Sequence, residues 1–161
     1  MGKSGHRRRA QKLSRHHMVP RSRCTPRMTD HHRNIKRIPR WVHQNWHTLW
    51  ANMTPFEIVE VLICSIAPAG YFVSFAIDAR WEGRRYQLSH SDSRRAKSRH
   101  RFSGSQKEAW KRLFGGRSHF DVVVYVVEQW APVGYFQRVE LSTASGDHSL
   151  VYTSPWEGAN L

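Results

Sequence analysis

Two stretches of the chain carry the same pattern of apolar and polar positions, 64 residues apart. NWHTLWANMTPFEIVEVLICSIAPAGYF (45–72) lies without gaps over AWKRLFGGRSHFDVVVYVVEQWAPVGYF (109–136). Trp46 falls on Trp110, Leu49 on Leu113, Trp50 on Phe114, Thr54 on Ser118, Phe56 on Phe120 and Glu57 on Asp121. Both stretches close on Pro-x-Gly-Tyr-Phe. So many coincidences at one offset mark a duplicated packing unit.

The unit begins with two helices. Trp, Leu and an aromatic recur at i, i+3 and i+4, one helical face, over 40–51 and again over 106–114. Ser105 and Glu108 have the spacing of a capping box in the second copy. The next helix opens at Thr54 or Ser118 as N-cap, with Glu57 or Asp121 three residues on. Pro55 takes the first helical position, where its missing N–H is not needed. Each helix stops before Pro68 or Pro132, and an extended stretch follows. The pairs YFVSFAI…RRYQLS and YFQRVEL…SLVYTS suggest a hairpin in each copy. Ahead of the first copy, LSRHHMV and NIKRI read as short strands, with Pro20 and Pro26 marking the loop between them. The chain therefore divides into a tail (1–12), a strand–strand–helix segment with its following helix (13–72) and a hairpin with a Ser/Arg-rich linker (73–105). A second helical copy (106–152) and a fraying end (153–161) complete it. The aromatic stripe is read as core.

Charge changes this picture at one end only. Residues 1–40 hold 13 Lys/Arg against a single acid, Asp30, while residues 41–161 hold 13 against 11. The N-terminal quarter thus carries almost all of the formal net charge of +14, as expected of a segment that meets a polyanion. Nucleic acid is the first expectation and no membrane partner is expected. Cys24 and Cys64 form no CxxC pair, which excludes a zinc ribbon, and nothing suggests a disulfide framework. The apolar run around residues 61–77 is broken by Pro68 and Gly70, and no apolar leader opens the chain, so an intracellular protein is expected.

The chemistry sits in the histidines. His16 and His17 adjoin in SRHHMVPRSR, and His43 and His47 share one face of the first helix at i, i+4. A metal on neutral imidazoles keeps its full charge and open positions, and a separate histidine can take a proton from water. Arg15, Arg21 and Arg23 flank the doublet, and Lys36, Arg37 and Arg40 follow; all six suit phosphate oxygens. His31 and His32 are read as solvated loop residues. The second copy lacks this chemistry: at the same offset His43 and His47 fall on Lys107 and Lys111, and Asn34 on Ser98. Lys107, Lys111, Arg112 and Arg117 would extend a phosphate track.

Together HHMVPRSR, Asn34 and NIKRIPRWVHQNWH resemble the HNH endonucleases and their ββα-metal finger. The step from Asn34 to His43 is the family's usual one, and the added His47 makes the quartet similar to that of colicin-type bacteriocin nucleases. HQNWHTLWANMTPFE also resembles small bacterial and phage HNH proteins. The resemblance covers roughly residues 13–68. It implies an α+β chain: a ββα-metal finger, a helical pair and a second, metal-free helical copy. It implies one divalent metal (Zn, Mg, Mn or Ni) on His16, His43 and His47. His17 would be the general base, with Asn34 fixing the loop and orienting it through a backbone hydrogen bond. The activity implied is metal-dependent hydrolysis of DNA, preferred over RNA on the resemblance alone. Two alternatives stand beside it. One is a basic nucleic-acid-binding protein, RNA- or ribosome-associated, that keeps the finger as structure. The other is a zinc-stabilised interaction module.

Overall fold

Two helix caps set the frame of each half. The structure, a computed structural model, describes residues 12–90 and 100–154. The Thr54 hydroxyl accepts from the Glu57 amide while the Glu57 carboxylate accepts from the Thr54 amide, a complete capping box. The Ser118 hydroxyl accepts from the Asp121 amide at 3.1 Å. These caps open helices at the positions the pattern marks, and the elements follow in order. A hairpin of β1 (Leu13–His17) and β2 (Ile35–Pro39) encloses a long loop that contains one turn of α-helix, α1 (Pro26–Thr29), between two 3-10 turns. Then come α2 (Arg40–Trp50), α3 (Pro55–Val61), β3 (Phe72–Trp81) and β4 (Arg84–Ser89). The second copy supplies α4 (Gly104–Phe114), α5 (His119–Gln129), β5 (Phe136–Thr143) and β6 (Ser149–Thr153). The class is α+β, with two antiparallel sheets.

The repeat is therefore helix, helix, hairpin, with the hairpin of each copy where the paired extended stretches suggested it. The two hairpins join edge to edge in one four-stranded sheet of order β4-β3-β5-β6. β3 and β5 run antiparallel, with Phe75 opposite Leu141 and Ile77 opposite Val139. The halves are related by an approximate two-fold, and individual atoms obey it. Tyr71 Oη accepts from the Phe120 amide at 3.3 Å, and Tyr135 Oη accepts from the Phe56 amide at 3.1 Å. Each tyrosine thus satisfies a free N–H at the start of the other half's second helix. The Ala144 amide donates to the Tyr71 carbonyl, and the Arg80 amide to the Tyr135 carbonyl, again equivalent at the same offset.

The core fills the space between the sheet and the helices. Trp46, Trp50 and Phe114 are buried there, as the aromatic stripe implied, and Trp130 joins them, although Trp110 and Leu113 of the second copy are only half-buried. α2 and α4 pack together, with Trp46 against Phe114 and Trp50 against Trp110.

Several boundaries differ from expectation. α4 is capped by Ser103 and Gln106, not by Ser105 and Glu108. The Ser105 hydroxyl bonds that of Ser103, and Glu108 faces Lys111 and Arg112 along the helix. β6 reaches Thr153, where the end of the chain was expected to fray. Residues 1–11, most of the Ser/Arg-rich linker (91–99) and residues 155–161 lie outside the described residues. Among the described residues no single helix is long and apolar enough to cross a membrane.

Candidate metal centre

β1 delivers the doublet with its two rings on opposite faces, because side chains alternate along a strand. His16 pairs across the ladder with Lys36, and Arg15 with Arg37. Directly opposed residues share a face, so His16 and Lys36 look inward to α2 while Arg15, Arg37 and His17 lie on the other face. α2 then presents His43 and His47 one turn apart.

The three rings converge. His16, His43 and His47 each offer a ring nitrogen, and these nitrogens lie within 4.8 Å of one another. His43 Nε2 and His47 Nε2 are 2.9 Å apart. Two ligands of a tetrahedral zinc at ordinary Zn–N length would sit about 3.3 Å apart, so a small ring rotation brings both to one ion. His16 is 3% exposed, and its buried Nδ1 makes no hydrogen bond. A buried ring nitrogen without a partner is costly unless something binds it. Burial, then the charges of His47 and His43, push His16 from 6.5 down to about 3. Burial also lowers His43, helped by His47 and His17. Both are thus neutral at neutral pH, the form a metal requires. The donor set fits one divalent ion. It is all imidazole, which suits Zn or Ni better than Mg, an ion that takes oxygen ligands.

The walls come from both halves. The Trp130 ring stacks on Trp46 at 3.7 Å and 9°, and His16 meets its face edge-on at 5.3 Å. Lys36 Nζ lies 5.4 Å from the Trp130 centroid, with its pKa lowered by burial. The second copy thus has no comparable histidine cluster among the described residues, yet it closes the back of this one.

Asn34 is fully buried and works on the loop. Its Oδ1 accepts from the Val19 amide at 2.7 Å, and its Nδ2 donates to the carbonyls of Val19 and Thr29, each at 3.0 Å. These bonds tie the loop through Val19 and Thr29, and not through His17 itself. His17 instead bonds Asp30: Nε2 to Oδ1 is 2.8 Å. Asp30 also faces Arg15 at 3.5 Å, and these two partners hold its carboxyl below the ordinary carboxylate range.

The six basic residues divide. Arg15, Arg21, Arg37 and Arg40 are exposed around the hairpin. Arg23 is committed to Glu57 by two bonds of 2.7 and 2.9 Å, which tie the loop to α3. Burial alone would raise the Glu57 carboxyl, but the Arg23 and Thr54 hydrogen bonds outweigh it and lower it. His31 and His32 stack on each other at 4.4 Å, away from the cluster. Asp30 and Trp130 were not singled out from the sequence. Asp30 carried one signal, as the only acid in the first 40 residues; Trp130 carried none. No protein-family model, curated protein or solved structure matches the chain.

Proposed function

We propose that the chain is a metal-dependent nuclease of the HNH type, with β1, β2 and α2 as its ββα-metal finger and DNA as its substrate. The observation that carries this reading is the convergence of three histidine rings, their nitrogens within 4.8 Å of one another, beside a fourth histidine, His17, on a strand flanked by arginines. A bound divalent ion would supply the positive charge that stabilises the extra negative charge on phosphate during hydrolysis. His16, His43 and His47 would hold it. His17 accepts a proton from the attacking water, whose oxygen forms the new bond to phosphorus. One ester P–O bond breaks, and the departing alkoxide takes a proton from solvent, leaving a terminal phosphate and a hydroxyl.

The outer face of the hairpin supports a polyanionic substrate. Arg15 and Arg37 oppose each other directly across the ladder. Like charges in that register destabilise a sheet, and a phosphate between them relieves the repulsion. Such contacts position a backbone without reading bases.

The test is a nicking assay on supercoiled plasmid after EDTA treatment, with Mg, Mn, Ni or Zn restored in turn. The reading expects nicking that returns with metal and is absent from His17→Ala. Salt-sensitive binding to DNA or RNA without cleavage under any ion would favour the basic binding protein instead.

A further inference from the structure

We infer that Asp30 is a positioning residue for His17: it fixes the proton on Nε2 and so leaves Nδ1 as the nitrogen that accepts from water. This deepens the nuclease reading and rests on it. The geometry is direct, since His17 Nε2 lies 2.8 Å from Asp30 Oδ1. A carboxylate can only accept, so the neutral ring donates through Nε2–H and its lone pair is on Nδ1. An imidazole whose one nitrogen is held by a carboxylate has a defined tautomer and a defined plane.

The pair is built into the fold and is not a chance surface contact. Asn34 bonds both carbonyl-bearing segments that carry it. Its Nδ2 donates to Thr29, the residue before Asp30, and to Val19, two residues after His17, while its Oδ1 takes the Val19 amide. One buried amide therefore sets the distance between the backbone of the base and that of its carboxylate. The Met18 amide donates to the Asn34 carbonyl at 2.9 Å, which adds a further tie next to His17. Arg15 Nη2, at 3.5 Å from the same Asp30 oxygen, steadies the carboxylate from the other side. Asp30 is 61% exposed at its side chain, so its replacement leaves the core untouched.

The experiment compares the full-length wild type with Asp30→Ala, Asp30→Asn and Asp30→Glu. The His17 tautomer is read from ring nitrogen-15 shifts, and kcat and KM are read on a fluorogenic DNA duplex with Mn or Ni. The expected result is an Nε2–H ring in the wild type and a mixed tautomer in Asp30→Ala. With it kcat falls roughly 10–100-fold, KM stays within about twofold, and Asp30→Glu recovers part of the loss. An Asp30→Ala protein with an unchanged tautomer, or with unchanged kcat, overturns the assignment. The two claims fail separately: a wild type that cuts under no metal sinks the nuclease reading, while the nitrogen spectrum still decides what Asp30 does to His17.

Discussion

Acid should unfold the metal-free protein through His16. The ring is buried against Trp46 and Trp130, and burial with the neighbouring histidines pulls it from 6.5 to about 3. In the folded chain it stays neutral, whereas in the unfolded chain it takes up a proton once the pH drops below 6.5. The unfolded state then binds more protons, so stability falls as pH falls. The contribution is complete above 6.5 and is lost between 6.5 and about 3. Each pH unit in that window is worth about 1.4 kcal/mol, so at pH 4.5 His16 alone removes roughly 3 kcal/mol. That is a large part of an ordinary domain's stability. The assay is urea unfolding followed by tryptophan fluorescence, in EDTA, at several values from pH 7.5 to 4.5, on wild type and His16→Phe. Carboxylates titrate equally in both proteins, so the difference isolates His16. The wild-type curve should lose roughly 3 kcal/mol more than the variant's. Parallel curves would show that the His16 ring is not buried neutral.

Other consequences are simpler. Asn34→Ala strands the Val19 amide and the Thr29 carbonyl and leaves the Val19 carbonyl only the Cys24 thiol, and should cost roughly 3 kcal/mol in urea unfolding. Ala51 ends α2 at φ 50°, where its counterpart in the second copy is Gly115 at φ 53°. A side chain is strained there, so Ala51→Gly should raise stability by about 1 kcal/mol, read as an increased urea midpoint. Arg37→Gln should lower the slope of log affinity against log salt for DNA by about one. It should not weaken the free protein, since it also removes the repulsion with Arg15.

Local chemistry made part of this structure legible. The Thr54 and Ser118 caps, the stops before Pro68 and Pro132, and the two hairpins depend on neighbours in sequence, and they stand where the pattern put them. In the cluster of His16, His43 and His47, spacing alone fixes the helix pair, and the choice of His16 from the strand doublet came from the resemblance to HNH fingers. What escaped was set by long-range packing. The pairing of β3 with β5 follows from the two-fold between the halves, which a match at one offset implies but does not orient. Trp130 has Ile66 as its counterpart, so the repeat gave no reason to bring it to the histidines. Arg23 looked like its neighbours Arg21 and Arg15, and only the approach of α3 spends it on Glu57. The Ser103 cap was missed because Ser-x-x-Gln and Ser-x-x-Glu both satisfy the motif two residues apart.

Metal content and nicking, measured together on wild type, His17→Ala and His47→Ala, separate the ligand from the base. One bound ion and cleavage are expected in the wild type, one ion and no cleavage in His17→Ala, and neither in His47→Ala. A His17→Ala protein that still nicks, or a wild type that binds no ion, would contradict this assignment of base and ligands.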